Sequence, residues 1–408
     1  MSAPCPAPHI AHRSGPRPER LRLARASPIA DLQRTSLANE LWPTPKADSS
    51  PNNPGCSLGD LAHQRVGIAF VSGELGLVSL DHESAAGVPG GLIQRTANGG
   101  QTWQTVYVTD HLSIHQVTWT SADTAVAATA SGLLVTRNQG ASWTLVPGLP
   151  VCSVQAPSPG TAYAVTSAGL YSISEPSMRL TRVATPLPVA GVHFVNRNLG
   201  WLTGPSGIAM TANGGGTWHI QLRFKHPFYQ GWDASLATES GSHLVATYAG
   251  GTVSGNPAID IYGSANGGHS WTLEEGGGYV PVPTGQVPVG GVDQAGATDG
   301  QVVAIAPNRT LLLGTTQESK PSTQASAPSL CETSNVGRNW ICRRFPFLEW
   351  QNATSDAGYD GEISARGGRW WVAVVDGTQL VIASSADLGI SWQVLERIPL
   401  SQRPQLSQ

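Results

Sequence analysis

The sequence lacks a charge excess, a long apolar run and a paired-cysteine motif, and each absence excludes a class of protein. Charged residues are 12% of the 408, against a usual share of ~25%. The net charge of -3 offers no basic surface, so no nucleic-acid partner is expected. The sequence contains no run of ~18 apolar residues, the length that a helix needs to span a membrane. No CxxC, HExxH, GxSxG or Walker pattern occurs, and we predict neither a metal site nor a cofactor.

Residues 1–60 differ in composition from the rest of the chain. They hold ten prolines, and six arginines fall between Arg13 and Arg34. A packed core is not expected from such a composition, so we predict a disordered or poorly ordered segment, with a targeting arm as the alternative. No apolar segment of the kind a secretory signal needs is visible here.

Glycine is abundant, at 47 residues, and much of it belongs to a repeated polar turn that ends in tryptophan. The copies are TANGGQTW (96–103), TRNQGASW (136–143), TANGGGTW (211–218), SANGGHSW (264–271), TSNVGRNW (333–340) and SADLGISW (385–392). The second and third tryptophans are nearly twice as far apart as the first and second. We therefore predict a degenerate copy over 168–188, with Leu180 near the tryptophan position.

Short strand patterns precede each turn. The fourth unit reads AGVHFV, NLGWLTG, GIAMT and TWHIQL, four segments with glycine-rich connections. A four-stranded meander cannot bury both faces alone, but seven packed radially can. The sequence therefore predicts an all-β fold, a seven-bladed β-propeller of four-stranded antiparallel blades over 61–402. A short tail would follow at 403–408, and a monomer is expected.

The repeated turn favours a structural role. An Asn or Asp side chain can accept a backbone N–H two residues on, and the following glycine can supply a positive φ. The tryptophan would fold back as an apolar plug, with its indole N–H near loop carbonyls. A calcium or sugar site is the alternative, although most copies lack the carboxylate that calcium prefers. The residues assigned to this role are Asn98, Trp103, Asn138, Trp143, Asn213, Trp218, Asn266, Trp271, Asn335, Trp340, Asp387 and Trp392.

Two cysteines flank the sixth turn. Cys331 precedes it and Cys342 follows it, at positions that are mostly apolar in the other copies. We expect the two positions to face each other on a buried side of the outer hairpin, which allows either a disulfide bond or two buried thiols. A bond would imply an oxidising compartment, and composition favours an extracytoplasmic or cell-surface location.

The turn resembles the Asp-box, or bacterial neuraminidase repeat. The stretch NRNLGWLTGPSGIAMTANGGGTW (196–218) also resembles the repeat of the photosystem II assembly factor family, which implies a non-catalytic propeller that holds protein partners. The Asp-box is similarly found in sialidases, which implies a glycosidase with an arginine triad. The Arg-Ile-Pro of this chain lies at 397–399, whereas that family carries it at the first strands.

The two ends of a propeller should differ in function. If the four strands of a blade are labelled a to d in chain order, the a-b and c-d turns share one end. The b-c loops and the links between blades then share the other end, where function is expected. The b-c loops of units 1, 5 and 6 look extended. Links after units 4 and 6 carry aromatic rings and cations suited to sugars, peptides or anions. Some of these rings could instead pack between blades. The candidate binding residues are Arg223, Phe224, His226, Tyr229, Trp232, Arg343, Arg344, Phe347 and Trp350.

These patterns predict a non-catalytic binding or scaffold propeller for a protein or glycan partner. No catalytic residue is assigned. The alternative is a sialidase-like or other exo-glycosidase, which needs two carboxyl groups ~5–9.5 Å apart. The acids to examine for such a pair are Asp110, Asp233, Asp293 and Glu349.

Overall fold

A computed structural model describes residues 66–83, 89–223, 234–253, 256–275, 292–293, 302–317, 325–348, 351–352, 361–376 and 379–400. These residues form thirty strands, and no helix occurs among them. The described part of the chain therefore contains no helix long and apolar enough to cross a membrane. The segment predicted over 1–60 and the tail predicted over 403–408 lie outside the described residues.

The strands form seven antiparallel sheets in chain order, which we name blades 1 to 7. Blade 1 comprises β1 (Val66–Phe70), β2 (Gly76–Glu83), β3 (Pro89–Thr96) and β4 (Gln104–Thr109), and blade 2 comprises β5 (Ile114–Trp119), β6 (Ala125–Thr129), β7 (Gly132–Thr136) and β8 (Thr144–Pro147). Blade 3 comprises β9 (Val151–Ser158), β10 (Thr161–Thr166), β11 (Gly169–Ser174) and β12 (Arg179–Arg182). Blade 4 comprises β13 (Gly191–Phe194), β14 (Gly200–Gly204), β15 (Gly207–Thr211) and β16 (His219–Arg223).

Blades 5 to 7 complete the ring. Blade 5 comprises β17 (Ala234–Ala237), β18 (Leu244–Val253), β19 (Asn256–Ser264) and β20 (Thr272–Glu275). Blade 6 comprises β21 (Val292–Asp293), β22 (Val302–Ala306), β23 (Arg309–Gln317), β24 (Ala325–Thr333), β25 (Ile341–Arg344) and β26 (Gln351–Asn352). Blade 7 comprises β27 (Gly361–Arg366), β28 (Arg369–Asp376), β29 (Gln379–Ser385) and β30 (Gln393–Pro399). The seven-bladed propeller is thus confirmed.

Blade 6 departs from the predicted four strands. Its inner strand is β22, and β21 adds a short pairing to β23 beyond it, with Val292 opposite Thr316. On the outer side, β26 pairs with the start of β24, where Gln351 lies opposite Ser326. The two additions extend the blade at one end, because β23 and β24 are longer than their neighbours.

The core consists of seven apolar clusters, one in each interface between neighbouring blades. Alternate residues of one strand serve two interfaces: Leu77 of β2 packs toward blade 2, whereas Val78 and Leu80 pack toward blade 7. Successive side chains of a strand point to opposite faces, and both faces are buried here. This explains why the strands read as continuous apolar runs rather than as alternating ones.

The repeated turns share one hydrogen-bond pattern. Thr96 Oγ accepts the Gly100 N–H at 2.9 Å, and Asn98 Oδ1 accepts the Thr102 N–H at 2.9 Å. Both donors lie four residues on, so the expected bond to a donor two residues on is wrong. The same bonds recur around Asn138, Asn213, Asn266, Asn335 and Asp387. The predicted positive φ is confirmed at the glycine in the fifth position of each turn, with values between 79° at Gly389 and 94° at Gly100.

Four of the six turns also accept a hydrogen bond from the preceding blade through a turn carbonyl. The carbonyl of Gly99 accepts the indole N–H of Trp371 in blade 7, and that of Gln139 accepts the Nε–H of Arg95 in blade 1. The carbonyls of Gly214 and Gly267 are bound in the same way from blades 3 and 4. The turn tryptophans pack in the same interfaces, so each turn is a clamp between two blades.

The tryptophans are buried to different extents. Trp340 is 2% exposed, whereas the other five are half-buried. Trp143 and Trp392 donate their indole N–H to the carbonyls of Gly140 and Gly389. Among the described residues, the indole nitrogens of Trp103, Trp218, Trp271 and Trp340 have no hydrogen-bond partner. The expected contact with a loop carbonyl thus forms in two of the six turns.

Blade 3 has the predicted four strands without the turn. Leu180 lies within β12 opposite Ile173, so it matches Leu145 of β8 rather than Trp143. The interface with blade 2 is plugged instead by Met178, which is 2% exposed and has a φ of 55°.

The positions that flank each turn are directly opposed, as the cysteine argument requires. Leu134 lies opposite Leu145, and Cys331 lies opposite Cys342, with the equivalent pairings in the other four turns. The expected burial holds less well for the outer-strand member, since Leu145 is 36% and Leu273 is 51% exposed. Cys331 and Cys342 are joined by a disulfide bond.

Candidate functional site

The propeller has two dissimilar ends. The a-b and c-d turns share one end, because the Gly99 N–H donates to the Glu74 carbonyl at 2.8 Å, and equivalent bonds recur in blades 2, 4 and 5. We name this end the turn face and the other the opposite face. On the opposite face, the hairpins β2–β3, β18–β19 and β23–β24 belong to blades 1, 5 and 6, the blades whose b-c loops looked extended. In blade 5 the two strands have 10 and 9 residues, whereas the flanking β17 and β20 have 4 each.

The structure describes four of the nine candidate binding residues. Arg223 ends β16 and is exposed, and Arg343 and Arg344 are exposed on β25. The arginines thus lie on blades 4 and 6, which blade 5 separates. Phe347 follows β25. Phe224, His226, Tyr229, Trp232 and Trp350 lie outside the described residues.

Arg343 belongs to an ionic group on the outer strands of blade 6. Glu332 accepts a 2.6 Å hydrogen bond from Arg309 Nε, and its other oxygen lies 3.8 Å from Arg343 Nη1. The hydrogen bond to Glu332 raises the pKa of Arg309 above its usual value. Arg343 is therefore partly neutralised, which leaves less of its charge for an anionic partner.

Phe347 lies in a blade interface. Its ring centroid is 5.3 Å from that of Phe345 and 6.1 Å from that of Trp392 in blade 7. Phe345 is 2% exposed. Phe345 is thus core, and the half-buried Phe347 rests on it as a packing residue, with only part of its ring left for a ligand.

A cavity of about 510 Å³ lies on the propeller axis and is lined by residues of all seven inner strands. Each inner strand runs from the opposite face toward the turn face. The lining residues nearest the opposite face are small, among them Ala190, Gly191, Ala234 and Gly361. Small side chains thus line the channel at the end toward the face where binding is expected.

Polar side chains in this channel join the inner strands, which make no backbone ladder with one another. Glu362 of blade 7 accepts the Ile68 N–H at 2.6 Å and the Gln116 Nε2–H at 2.9 Å. Gln116 of blade 2 in turn accepts the Val154 N–H of blade 3 at 3.0 Å. Glu362 is 8% exposed, and its hydrogen bonds show that it connects blades 7, 1 and 2.

Two further bridges continue the series. Gln155 of blade 3 accepts the Phe194 N–H at 2.7 Å and donates to the Phe194 carbonyl at 3.3 Å. His193 of blade 4 lies 2.9 Å, through Nε2, from the carbonyl of Thr238 beside blade 5. Burial lowers the pKa of His193 below its usual 6.5, although the bond to Thr238 opposes this shift. The ring is therefore neutral at pH 7.

The sequence did not single out these four channel residues. Each is a polar residue in a short inner strand. Nothing in the sequence of β5 (IHQVTW) or β13 (GVHF) indicates which side of the strand faces the channel. Of the acids selected for a glycosidase pair, Asp110 is exposed beyond β4 and Asp293 lies in β21, while Asp233 and Glu349 fall outside the described residues. Among the described lining residues, the acids are Glu239 and Glu362.

No protein-family model matches this chain, and no curated protein matches it. Among solved structures, it is similar to the GH74 enzyme of Niastella koreensis, with 13% identity and a TM-score of 0.46 over 80% of this chain and 64% of that one. It thus spans slightly less than two thirds of that enzyme's length.

Two other propellers are similar at the same level. YCF48 bound to D1 peptide has 14% identity and a TM-score of 0.32, over 81% of this chain and 80% of that one. The BP39L lectin from Burkholderia pseudomallei has 12% identity and a TM-score of 0.48, over 82% and 99%. At such identities and scores the likeness concerns the fold and carries no argument about function.

Proposed function

We propose that this protein is a non-catalytic binding or scaffold propeller that engages a protein or glycan partner on its opposite face. The observation that carries the proposal is the contrast between the ends. The turn face is built from six turns whose polar side chains bond within the turn and whose tryptophans pack between blades. The opposite face carries the long hairpins and the exposed Arg223 and Arg344. Loops on a rigid scaffold are where binding residues concentrate.

The channel supports a non-catalytic role. A glycosidase needs one carboxyl group to protonate the leaving group and a second to attack or activate water. Glu362 accepts N–H groups from neighbouring blades with both of its oxygens, so its carboxyl group is engaged in joining strands rather than turned to a substrate. The alternative exo-glycosidase would have to use Glu239 or an acid outside the described residues.

The test combines a glycan array, a peptide array and a panel of fluorogenic glycosides. We expect a retained glycan or peptide and no glycoside turnover. Binding should weaken in Arg223→Glu, at the opposite face of blade 4. The matched control is Arg197→Glu, in the a-b turn of the same blade, which should bind as the wild type does. Turnover that disappears in Glu239→Gln would establish the alternative, and equal loss in both arginine variants would remove the assignment of the face.

A further inference from the structure

We propose that the axial channel is itself a binding site for a small neutral polyol, such as a monosaccharide, held by Gln116, Gln155 and His193. This site lies inside the ring and is separate from the partner surface proposed above. Its volume of about 510 Å³ falls within the ~300–1,000 Å³ of small-molecule pockets.

The two glutamines are held in fixed orientations with hydrogen-bonding capacity to spare. A carboxamide carries two N–H donors and two acceptor lone pairs. Gln155 uses one donor and one acceptor on the Phe194 backbone, and Gln116 uses one of each between Glu362 and Val154. Toward the described residues, each therefore keeps one N–H and one lone pair while lining the cavity. Such a pair of donor and acceptor matches a hydroxyl group, which both donates and accepts.

His193 adds an acceptor of defined position. The Thr238 carbonyl can only accept, so Nε2 of His193 must carry the proton. Since burial keeps the ring neutral, Nδ1 is left with its lone pair. The ring lines the same cavity. Its fixed tautomer would accept a hydroxyl hydrogen, and would not attract an anion as an imidazolium would.

The three groups favour a neutral ligand over a charged one. Gln116, Gln155 and His193 are uncharged, and moving an ion from water into the channel costs free energy that neutral dipoles offset only in part. The acids Glu239 and Glu362 also line the cavity and disfavour an anion, and the two oxygens of Glu362 already accept N–H groups from Ile68 and Gln116. Fixed side chains also lower the entropy that is lost when a ligand binds. The small residues Ala190, Gly191, Ala234 and Gly361 line the channel toward the opposite face and leave room there for a ligand.

The test is ligand-observed NMR of the full chain with glucose, galactose, mannose and myo-inositol, and with glucuronate and glucosamine as charged counterparts. We expect at least one neutral compound to bind, with the charged counterparts weaker. Gln155→Glu keeps the acceptor for the Phe194 N–H and removes the donors, so affinity should fall about tenfold, the effect of one lost hydrogen bond.

The matched control is Gln221→Glu. Gln221 also joins two blades through its carboxamide, between Trp201 and the Gly267 carbonyl, but it does not line the cavity. Wild-type affinity in this folded variant and loss in Gln155→Glu would support the channel site. Thermal unfolding confirms that both variants fold, and His193→Phe, which should also lower affinity, provides a second reading if Gln155→Glu does not. No binding of any neutral compound, equal loss in Gln221→Glu, or tighter binding of a charged counterpart would overturn the proposal.

Discussion

Blade 3 and the other six blades solve the same packing problem with different residues. In six interfaces a tryptophan and a turn glycine of one blade pack against the preceding blade. In the interface between blades 2 and 3, Met178 takes the tryptophan's place, and Arg137 donates to the Pro176 carbonyl. A bond from the preceding blade to a turn carbonyl is thus kept where the motif is lost. The repeated motif is one way to build an interblade clamp.

The largest loss of stability is expected when the most buried turn tryptophan is truncated. Trp340→Ala removes a side chain that is 2% exposed, and should lower the free energy of unfolding by about 3–5 kcal/mol. Trp143→Ala should cost less, about 1–3 kcal/mol, because its half-buried ring leaves a cavity that water can enter. Chemical denaturation of both variants measures the difference. Equal losses would contradict the link between burial and clamping.

Met178→Ala tests whether Met178 replaces the turn tryptophan in the interface between blades 2 and 3. Truncating this buried side chain should lower the free energy of unfolding by about 2–5 kcal/mol. The control is Ser177→Ala, at the adjacent exposed position, which should change it by less than about 0.5 kcal/mol. If the two variants were equally stable, blade 3 would lack an equivalent of the clamp.

The disulfide bond distinguishes the turn of blade 6 from the other five turns. Cys331 and Cys342 are 11 residues apart, and closing such a loop stabilises a fold by about 2–3 kcal/mol. We expect the double variant Cys331→Ala/Cys342→Ala to lose about that amount. A reductant should destabilise the wild type more than the double variant, in which Cys152 is still disulfide-bonded. Blade 2, with Leu134 and Leu145 at these positions, shows that the hairpin forms without the bond, so the variant should still fold.

The acidic turn should respond to pH when the five asparagine turns do not. Hydrogen bonds from Ser391 and Ser385 lower the pKa of Asp387 from 3.8 to about 2. A lowered folded-state pKa contributes stability above pH 3.8, and this contribution is lost as pH falls toward 2. Asp387→Asn should therefore match the wild type at neutral pH and show a shallower fall in thermal midpoint on acidification. An unchanged acid profile would show that Asp387 does not contribute.

The fold was predictable because its signals are local and repeated. Turn residues at fixed offsets located the c-d hairpins, and the same offsets gave the strand register, down to the opposed Cys331 and Cys342. The unequal burial of the tryptophans was not predictable, since it depends on the neighbouring blade. Trp340 is covered by Val336 and by residues of blade 5, which no local pattern identifies.

The channel was harder to predict than the blades. Gln116 and Gln155 act between blades, on partners 38 to 246 residues away along the chain. Which residue of an inner strand faces the axis depends on how each blade is rotated about its own axis, and the repeat is least regular there. Arg223, Arg343 and Arg344 were selected by composition, and their placement on blades 4 and 6 follows only from the ring.

Blades 7 and 1 meet without sharing a strand, since each is made from consecutive strands of its own. Their junction consists of side-chain contacts, such as Phe70 stacked on Trp371 and the Glu362 bond to Ile68. Tension applied through the two ends of the described propeller, near Val66 and Leu400, would load this junction directly. Within the described strands no backbone ladder joins these two blades, so we expect the ring to part at this junction and leave seven intact sheets in an open arc.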